Sequence, residues 1–318
     1  MSEVGLATLP TLQVQYRGNG WNLFKLTFVN LLLTVVTVGI YGPWARTNRR
    51  KFIWQRMYIE GTPLNYTGTG KEILIGCLKL GAAYLGLFVL PPLIVGYFSK
   101  GASRGLQFMG GLALFLLVPL AIYWSRRYLL SHTRWRDIRF GLAGDAGAFA
   151  KQFLIGFGLT VVTFGFYGPI FANRIYRTLT RNTRYGNQSF SYDGDDGEAF
   201  RIGLRGILLS LVTLGIYWPW YRAEVLRFRM SHTRFDQATG HSELTGGVLL
   251  KVALVAVFGN ILSLGIAFPW IVTYALRTIL GQLSLRGTID YARISPESVS
   301  GDAMGDALGG AFSVELGM

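Results

Sequence analysis

The sequence predicts an all-α polytopic membrane protein built from about five repeats of roughly 50 residues. Of the 318 residues, 51% are hydrophobic and 15% are charged, and the mean hydropathy is +0.35, whereas a soluble domain is about 25% charged. Six apolar runs, most of them close to the ~20 residues with which a helix crosses about 30 Å of hydrocarbon, would need an improbably large soluble core. The runs lie at residues 23–41, 73–98, 106–124, 152–171, 202–220 and 248–272.

The repeat is carried by a motif of the form Thr-x-Gly-Ile-Tyr-x-Pro-Trp, and its last three copies are spaced by 50 residues. A further copy around Pro119 lacks the Thr-Gly-Tyr part. The Ser-His-Thr-Arg that follows it at 131–134 nevertheless returns 100 residues later at 231–234. The chain therefore holds five copies, with an insertion between the first and the second. The four fuller motifs lie at residues 37–44, 163–170, 213–220 and 263–270.

Each repeat is predicted to run from an apolar helix through a break to a basic helix and a short β-hairpin. Gly and Pro in the motif interrupt helical hydrogen bonding. Beyond the break, stretches such as 173–184 carry arginines at helical spacing, which is typical of an amphipathic helix at a membrane surface. Strand-like pairs around turn residues, as at 183–192, predict the hairpins. The predicted helix breaks are Gly39, Pro43, Pro119, Gly165, Pro169, Gly215, Pro219, Gly265 and Pro269.

These elements divide the chain into eight segments. The acidic, Gly-rich C-terminal tail is too polar to span a membrane, and we expect it to lie over the cytoplasmic hairpins or to stay mobile until a partner binds. The predicted boundaries are an N-terminal segment 1–22, repeat 1 at 23–70, an inserted apolar segment 71–98, a degenerate repeat 2 at 99–147, repeat 3 at 148–197, repeat 4 at 198–247, repeat 5 at 248–294 and the polar tail 295–318.

A basic residue follows every motif proline by eight positions. One interpretation is that these side chains reach lipid phosphates and anchor each span. The other is that pseudo-symmetric packing turns them inward, as a cationic ring that recognises lipid headgroups or an anionic solute. Because a charge at mid-bilayer costs roughly 2.5 to 3.5 kcal/mol, we expect them at the interface or facing a polar interior. The residues are Lys51, Arg127, Arg177, Arg227 and Arg277.

The distribution of positive charge conflicts with six single crossings. Such crossings would put 15 Lys and Arg on one side of the membrane and 10 on the other, whereas the positive-inside rule expects a sharper contrast. Loops 172–200 and 221–247, the same element one repeat apart with four arginines each, would also lie on opposite faces. The sequence therefore favours at least some repeats that dip into the membrane and return to the cytoplasm.

Three stretches carry a family resemblance. They are Tyr-Arg-Gly-Asn-Gly-Trp-Asn-Leu-Phe at 16–24, the repeated Thr-x-Gly-Ile-Tyr-x-Pro-Trp-x-x-x-Arg, and Gly-Asp-Ala-Leu-Gly-Gly-Ala-Phe at 305–312. Together they resemble the YjgN family of bacterial inner-membrane proteins, also known as DUF898. The resemblance spans nearly the whole chain and implies a multi-pass location in the bacterial inner membrane, but no agreed activity, substrate or catalytic residue. Repeat 2 departs from the pattern at Pro119.

The sequence carries no nucleophile elbow, HExxH, phosphate loop or CxxC, so we expect no enzyme and no cofactor. His132 and His232 lie in equivalent repeats, but without nearby acidic or cysteine ligands they make a poor metal site. The acidic run 193–198 fits ordinary turn chemistry better than a Ca²⁺ loop. A net charge of +14 that flanks the apolar runs indicates anionic lipid rather than nucleic acid as a partner.

Two functions stay open from the residues. Broken helices, internal repeats and the repeated basic position favour a transporter or channel-like protein for an anionic or amphipathic solute or lipid. The alternative is a non-enzymatic membrane scaffold that binds a partner protein or organises anionic lipid. The expected partners are the anionic headgroups of membrane lipids and a protein at the cytoplasmic hairpins and tail. The sequence is compatible with an oligomer.

Overall fold

Pairs of helices alternate with pairs of short strands in the computed structural model, which describes residues 11–296. Most of the predicted tail 295–318 and residues 1–10 lie outside the described residues. The helices are α1 (Gly20–Val36), α2 (Gly42–Trp54), α3 (Gly70–Tyr84), joined by a π-helical turn (Leu85–Val89) to α4 (Leu90–Phe98), α5 (Lys100–Ser131), α6 (Ala146–Val162), α7 (Gly168–Asn182), α8 (Asp196–Val212), α9 (Trp218–Ser231), α10 (Gly246–Leu262) and α11 (Phe268–Leu280). The strands are β1 (Thr11–Tyr16), β2 (Met57–Ile59), β3 (Thr62–Tyr66), β4 (Thr133–Trp135), β5 (Ile138–Leu142), β6 (Thr183–Tyr185), β7 (Gln188–Tyr192), β8 (Thr233–Phe235), β9 (Ala238–Ser242) and β10 (Leu283–Arg286).

The ten strands form a closed antiparallel barrel in the order β1-β10-β9-β8-β7-β6-β5-β4-β3-β2. Within a repeat, two strands form a hairpin, as β2 and β3 do where Ile59 lies opposite Thr62. Between repeats, the second strand of one hairpin pairs with the first strand of the next, as Tyr66 does opposite Thr133. β1 closes the sheet by pairing with both β2 and β10, so no strand edge is left free.

The prediction of an all-α protein is wrong because the short hairpins pair with one another instead of standing alone beside the helices. β4, β6 and β8 have three residues each, so the predicted hairpins carry too little sequence to indicate which strands they pair with outside their own repeat. The pairing that closes the barrel sets Thr11 opposite Arg286. Contacts between such distant residues leave no local pattern in a single sequence.

The six apolar runs do not form six helices long enough to cross a membrane. Among residues 11–296, two helical stretches are long and apolar enough to cross a membrane: Gly70–Phe98 with 29 residues and Lys100–Ser131 with 32. The apolar helices α1, α6, α8 and α10 have 17 residues each, or about 25 Å of helix. Each stops at the motif and the chain turns back, so an apolar run such as 202–220 holds the end of one helix and the start of the next.

Four helical hairpins reverse through the same turn, which the motif encodes. The chain leaves α1 through Val38 at φ 49° and Gly39 at φ 89°, and the Gly39 N–H donates back to the last turn of α1 at 2.7 Å. The Thr37 hydroxyl oxygen accepts from the N–H of Tyr41 at 3.0 Å. Pro43 lies in the first turn of α2, where its missing N–H would have no helical partner. The same places are taken by Gly165 and Pro169, Gly215 and Pro219, and Gly265 and Pro269.

The second helical hairpin is built differently. Pro119, predicted as a helix break, lies inside the continuous 32-residue helix α5. The Thr and Gly of the turn are missing there. A proline alone removes one backbone hydrogen bond, and a long apolar helix tolerates that loss. The chain reverses instead at Ser99, between α4 and α5. Residues 71–98, predicted as an insertion, lie in the first arm of this hairpin, and α5 is its second arm.

The five helical hairpins pack side by side in a ring that closes on itself. The second arm of each hairpin lies against the first arm of the next, as α7 lies against α8, and α11 returns to α1. The motif Trp mediates these contacts: a Cβ added at Gly70 would come within 2.6 Å of the Trp44 ring. The same contact recurs between Trp220 and Gly246 and between Trp270 and Gly20. Each repeat therefore contributes one helical hairpin to the ring and one pair of strands to the barrel.

Buried aromatic side chains fill the barrel. Tyr66, Trp135, Tyr185 and Phe235, from four different strands, belong to one buried cluster. The centroid of the Tyr185 ring lies 5.5 Å from that of Trp135 and 5.9 Å from that of Phe235. A sheet this small therefore has a packed core.

Residues 289–296 cross the strand turns at the end of the barrel away from the helices. The Tyr291 hydroxyl donates to Glu60 in the β2–β3 turn at 2.8 Å. The Ser295 N–H donates to the side chain of Asn187 in the β6–β7 turn at 3.1 Å, and Ile294 belongs to the barrel's buried cluster. This end of the barrel is thus covered by the chain itself.

Candidate membrane and lipid-binding site

The four short helical hairpins expose large apolar side chains at their tips. Val38, Phe164, Leu214 and Leu264 are 92 to 94% exposed, and each has φ of 49° or 50°, in the left-handed region that glycine usually occupies at a helix C-terminus. A non-glycine residue there costs about 1 to 2 kcal/mol. A large apolar side chain kept four times at a costly position indicates contact with something outside the chain.

The tip of the long hairpin has the opposite chemistry. The exposed Lys100 and Arg104 lie just after the reversal, and the exposed rings of Tyr97 and Phe98 lie just before it. A first arm of 29 residues reaches about 43 Å, enough to cross the hydrocarbon and its headgroup layers. Aromatic and basic side chains together are typical of a membrane–water interface.

A basic residue occupies the sixth position of each short apolar arm, and its side chain is exposed in all four. About 16 Å of helix separates this position from the end of the arm, close to half of the ~30 Å hydrocarbon layer. The 50-residue register contains this shared position, but it was not among the predicted site residues, which all lie in the motif or after its proline. The residues are Lys25, Lys151, Arg201 and Lys251.

The predicted basic position is distributed over the five second arms, one residue on each. Arg177 donates to the Gly194 carbonyl at 2.6 Å and to Asp196 Oδ1 at 2.9 Å. Arg277 donates to the equivalent carbonyl, that of Gly18, at 3.0 Å. Both therefore fasten a second arm to the loop that precedes the neighbouring first arm. At the same position Lys51 and Arg127 are half-buried and Arg227 is exposed.

Asp196 joins the start of α8 to three polar side chains of α7. Its carboxylate accepts from Arg174 Nε at 2.7 Å, from Asn173 Nδ2 at 2.8 Å and from Arg177 Nη2 at 2.9 Å. Burial alone would raise the pKa of this carboxyl, but the three hydrogen bonds outweigh burial and lower the pKa below its usual value. The other first arms begin with glycine or alanine, so this charged junction is particular to repeats 3 and 4.

Three strands end at the tyrosine of a Tyr-x-Gly sequence. This tyrosine is buried where the barrel meets the helices. The Tyr192 hydroxyl donates to Asn173 Oδ1 at 2.6 Å, and burial raises the pKa of Tyr192 to about 12. Its ring lies so close to Gly194 that a Cβ there would overlap it. Sequence analysis missed the tyrosines, although the shared Tyr-x-Gly spacing was a usable signal. The other two pairs are Tyr16 with Gly18 and Tyr66 with Gly68.

The two equivalent histidines lie directly after the last residues of the second arms α5 and α9. His132 Nδ1 lies 2.9 Å from the Tyr128 carbonyl oxygen, and His232 Nδ1 lies 2.8 Å from that of Phe228. Each ring therefore caps its own helix end. Over residues 11–296, no three His, Cys, Asp or Glu side chains lie together as metal ligands would.

A cavity of about 350 Å³ lies between α6 and α7. Lys151 and Arg174 line the part nearer the barrel, one from each helix, and Ile155, Leu159 and Phe171 continue the wall toward the hairpin tip. The cavity therefore combines two cationic groups with an apolar wall.

Comparison with known proteins identifies the family. Residues 11–207, 187–239 and 207–311 match the family described as "Bacterial protein of unknown function (DUF898)". The chain is 32% identical over 105 residues to Inner membrane protein YjgN of Salmonella typhimurium, a match that covers 29% of this chain and 27% of that protein. It is 26% identical over 121 residues to Inner membrane protein YjgN of Escherichia coli, covering 38% of this chain and 28% of that protein. No solved structure matches the chain.

The aligned stretches thus span little more than a quarter of either relative's length. The family match covers all of the described residues, and both relatives are named as inner-membrane proteins. The predicted family resemblance and the predicted bacterial inner-membrane location are therefore confirmed. This membrane protein belongs to the DUF898 family of bacterial proteins of unknown function, and it is similar to the inner-membrane proteins named YjgN.

Proposed function

We propose that this protein is a non-enzymatic membrane scaffold that inserts four helical hairpins into one leaflet, crosses the bilayer with a fifth, and organises anionic lipid around the ring. The agreement between hairpin length and tip chemistry carries the proposal. Hairpins with 17-residue first arms end in an exposed apolar residue, and the hairpin with a 29-residue first arm ends beside Lys100. An apolar tip is stable inside hydrocarbon, and a charged tip is stable only beyond it.

The charge distribution supports an orientation with the barrel in the cytoplasm. Both arms of every hairpin join the barrel at one end, so the basic second arms all return to the same side. Two of the 31 Lys and Arg residues, Lys100 and Arg104, lie at the tip of the long hairpin, on the side of the membrane away from the barrel. The positive-inside rule favours this arrangement, and anionic lipid attracts each basic residue near the surface by about 1 kcal/mol. Hairpins that return also remove the conflict raised by single crossings.

Transport has less support than the scaffold. A solute would need a path through the molecule, whereas buried rings such as Tyr185 fill the barrel and residues 289–296 cover its end. Ion or solute flux through proteoliposomes above that of protein-free liposomes would favour transport and count against the scaffold.

Lipid enrichment tests the proposal directly. Protein reconstituted into mixed phosphatidylglycerol and phosphatidylcholine vesicles, then extracted into polymer-bounded discs, should carry phosphatidylglycerol above its bulk fraction. Changing the four sixth-position residues to Gln should bring the ratio back toward the bulk value. The variant combines Lys25→Gln, Lys151→Gln, Arg201→Gln and Lys251→Gln.

A matched control removes four positive charges from the barrel side and should keep the enrichment. It combines Arg139→Gln, Arg234→Gln, Arg286→Gln and Arg293→Gln. Equal enrichment in all three proteins, or an equal loss in both variants, contradicts a role for the sixth-position residues in organising lipid.

A further inference from the structure

We propose that the cavity between α6 and α7 binds one anionic phospholipid, with its phosphate between Lys151 and Arg174 and part of an acyl chain along the apolar wall. The inference rests on the proposed function, because it requires α6 to lie in the membrane. It adds a specific site to a general attraction for anionic lipid. At about 350 Å³, the cavity lies at the small end of ligand pockets.

The two cations are available in different ways. Lys151 is exposed and has no acidic partner among residues 11–296. Arg174 is half-exposed and held in place, since its Nε donates to Asp196 at 2.7 Å and its Nη1 donates to the Tyr167 hydroxyl at 2.8 Å. These bonds use two of the five N–H donors of the guanidinium. A phosphate between the two side chains can therefore accept charge-assisted hydrogen bonds from both.

The apolar wall continues from the cations toward the hairpin tip. Ile155 and Leu159 follow Lys151 at intervals of four residues, so the three side chains lie along one face of α6, and all three are exposed. Phe171 of α7 forms the opposite side of the cavity. Its ring lies so close to Gly156 that a Cβ there would overlap it, which sets the spacing of the two helices. A headgroup at the cations places its acyl chain on this wall.

The facing pair of cations is particular to this hairpin among the four short ones. In the next hairpin Arg201 takes the place of Lys151, but Glu224 takes the place of Arg174 and pairs with Arg205. The other two short hairpins have Asn48 and Tyr274 at the position of Arg174. Lys100 is the control for Lys151: both are exposed lysines, but Lys100 lies at the tip of the long hairpin and does not line the cavity.

Native mass spectrometry of the detergent-purified protein with dioctanoyl phosphatidylglycerol tests the site. We expect Lys151→Gln to weaken binding of the first lipid about tenfold, and Lys100→Gln to leave it within about twofold. Ile155→Trp, which fills the apolar wall and keeps the charge, should weaken it as Lys151→Gln does. Unchanged unfolding temperatures of the three variants would show that each is folded.

Three outcomes overturn the site. An equal loss in Lys151→Gln and Lys100→Gln would mean general electrostatic attraction. Equal binding of dioctanoyl phosphatidylcholine would mean that the net negative charge of the headgroup is not recognised. Displacement of the lipid by an equal concentration of inorganic phosphate would mean a site for free anions. None of these outcomes contradicts the proposed scaffold function. That function would be contradicted by flux through proteoliposomes, or by a wild-type protein that shows no phosphatidylglycerol enrichment.

Discussion

At the scale of single residues, the junction between barrel and helices depends on glycines placed against large rings. We expect Gly194→Ala to lower the unfolding temperature, because its Cβ would overlap the Tyr192 ring and overpacking of this kind costs about 1 to 3 kcal/mol. Gly158→Ala is the control: its Cβ would have no neighbour within 4 Å, and alanine is the better helix former. Differential scanning fluorimetry in detergent compares the two, and equal unfolding temperatures would contradict the close contact.

Asp196 predicts a dependence of stability on pH. Because its pKa is lowered in the folded protein, its contribution is fully present above the unfolded pKa of about 3.9 and is lost as pH falls through the folded pKa. Asp196→Asn should therefore cost about 1 kcal/mol at pH 7, allowing for solvent screening. The difference in unfolding temperature from the wild type should shrink below about pH 4.

Asp193→Asn is the matched control for this measurement. Asp193 pairs with Arg234 at 2.9 Å, but both side chains are about half exposed, so the pair contributes little. A larger loss of stability in Asp193→Asn than in Asp196→Asn, or a deficit in Asp196→Asn that grows on acidification, would contradict the assigned role of Asp196.

At the scale of elements, the motif encodes each turn locally, and the sequence was sufficient to place it. Gly39 and Pro43 act within a few residues of chain, so their effect on α1 and α2 could be predicted. The pairing of β1 with β10 could not, since it joins opposite ends of the chain through strands of six and four residues. Pro119 shows that the whole motif is needed, because a proline without the Thr and Gly does not make the turn.

Part of the candidate site could likewise be predicted from the sequence, and part could not. Arg177 and its equivalents were found from the register with the prolines, whereas the cavity depends on which faces of α6 and α7 meet. That meeting is set by Phe171 against Gly156, a contact for which the sequence offers no periodic signal. The opposed Lys151 and Arg174 could therefore not be paired before the structure was known.

The hairpin tips predict a depth in the membrane. In a Cys77→Ser background, a spin label at Phe164→Cys or Leu214→Cys should be relaxed by oxygen and shielded from a water-soluble nickel chelate, because the proposed arrangement places these tips within hydrocarbon. A label at Ser99→Cys should behave in the opposite way, because the proposed arrangement places the tip of the long hairpin beyond the far side of the bilayer. Strong relaxation of the Phe164 label by the nickel chelate would contradict insertion of the third hairpin.

At the scale of the whole molecule, two rings close between the same two ends of the described chain. β1 pairs with β10, and α1 packs against α11. Five repeats thus share one barrel, and every helical hairpin must leave it and return to it. This closure makes a single crossing by a short hairpin incompatible with the fold, since both of its arms end at the same sheet.

Accessibility of single cysteines to a membrane-impermeant maleimide tests this topology most directly. In a Cys77→Ser background, Asn187→Cys and Gln237→Cys lie in strand turns of repeats 3 and 4, and Lys100→Cys lies at the tip of the long hairpin. We expect the two strand-turn cysteines to react only from the cytoplasmic side, in inside-out vesicles, and Lys100→Cys to react from the periplasmic side. Labelling of Asn187→Cys and Gln237→Cys from opposite sides of the membrane would show that the intervening chain crosses once and would contradict a barrel held on one face.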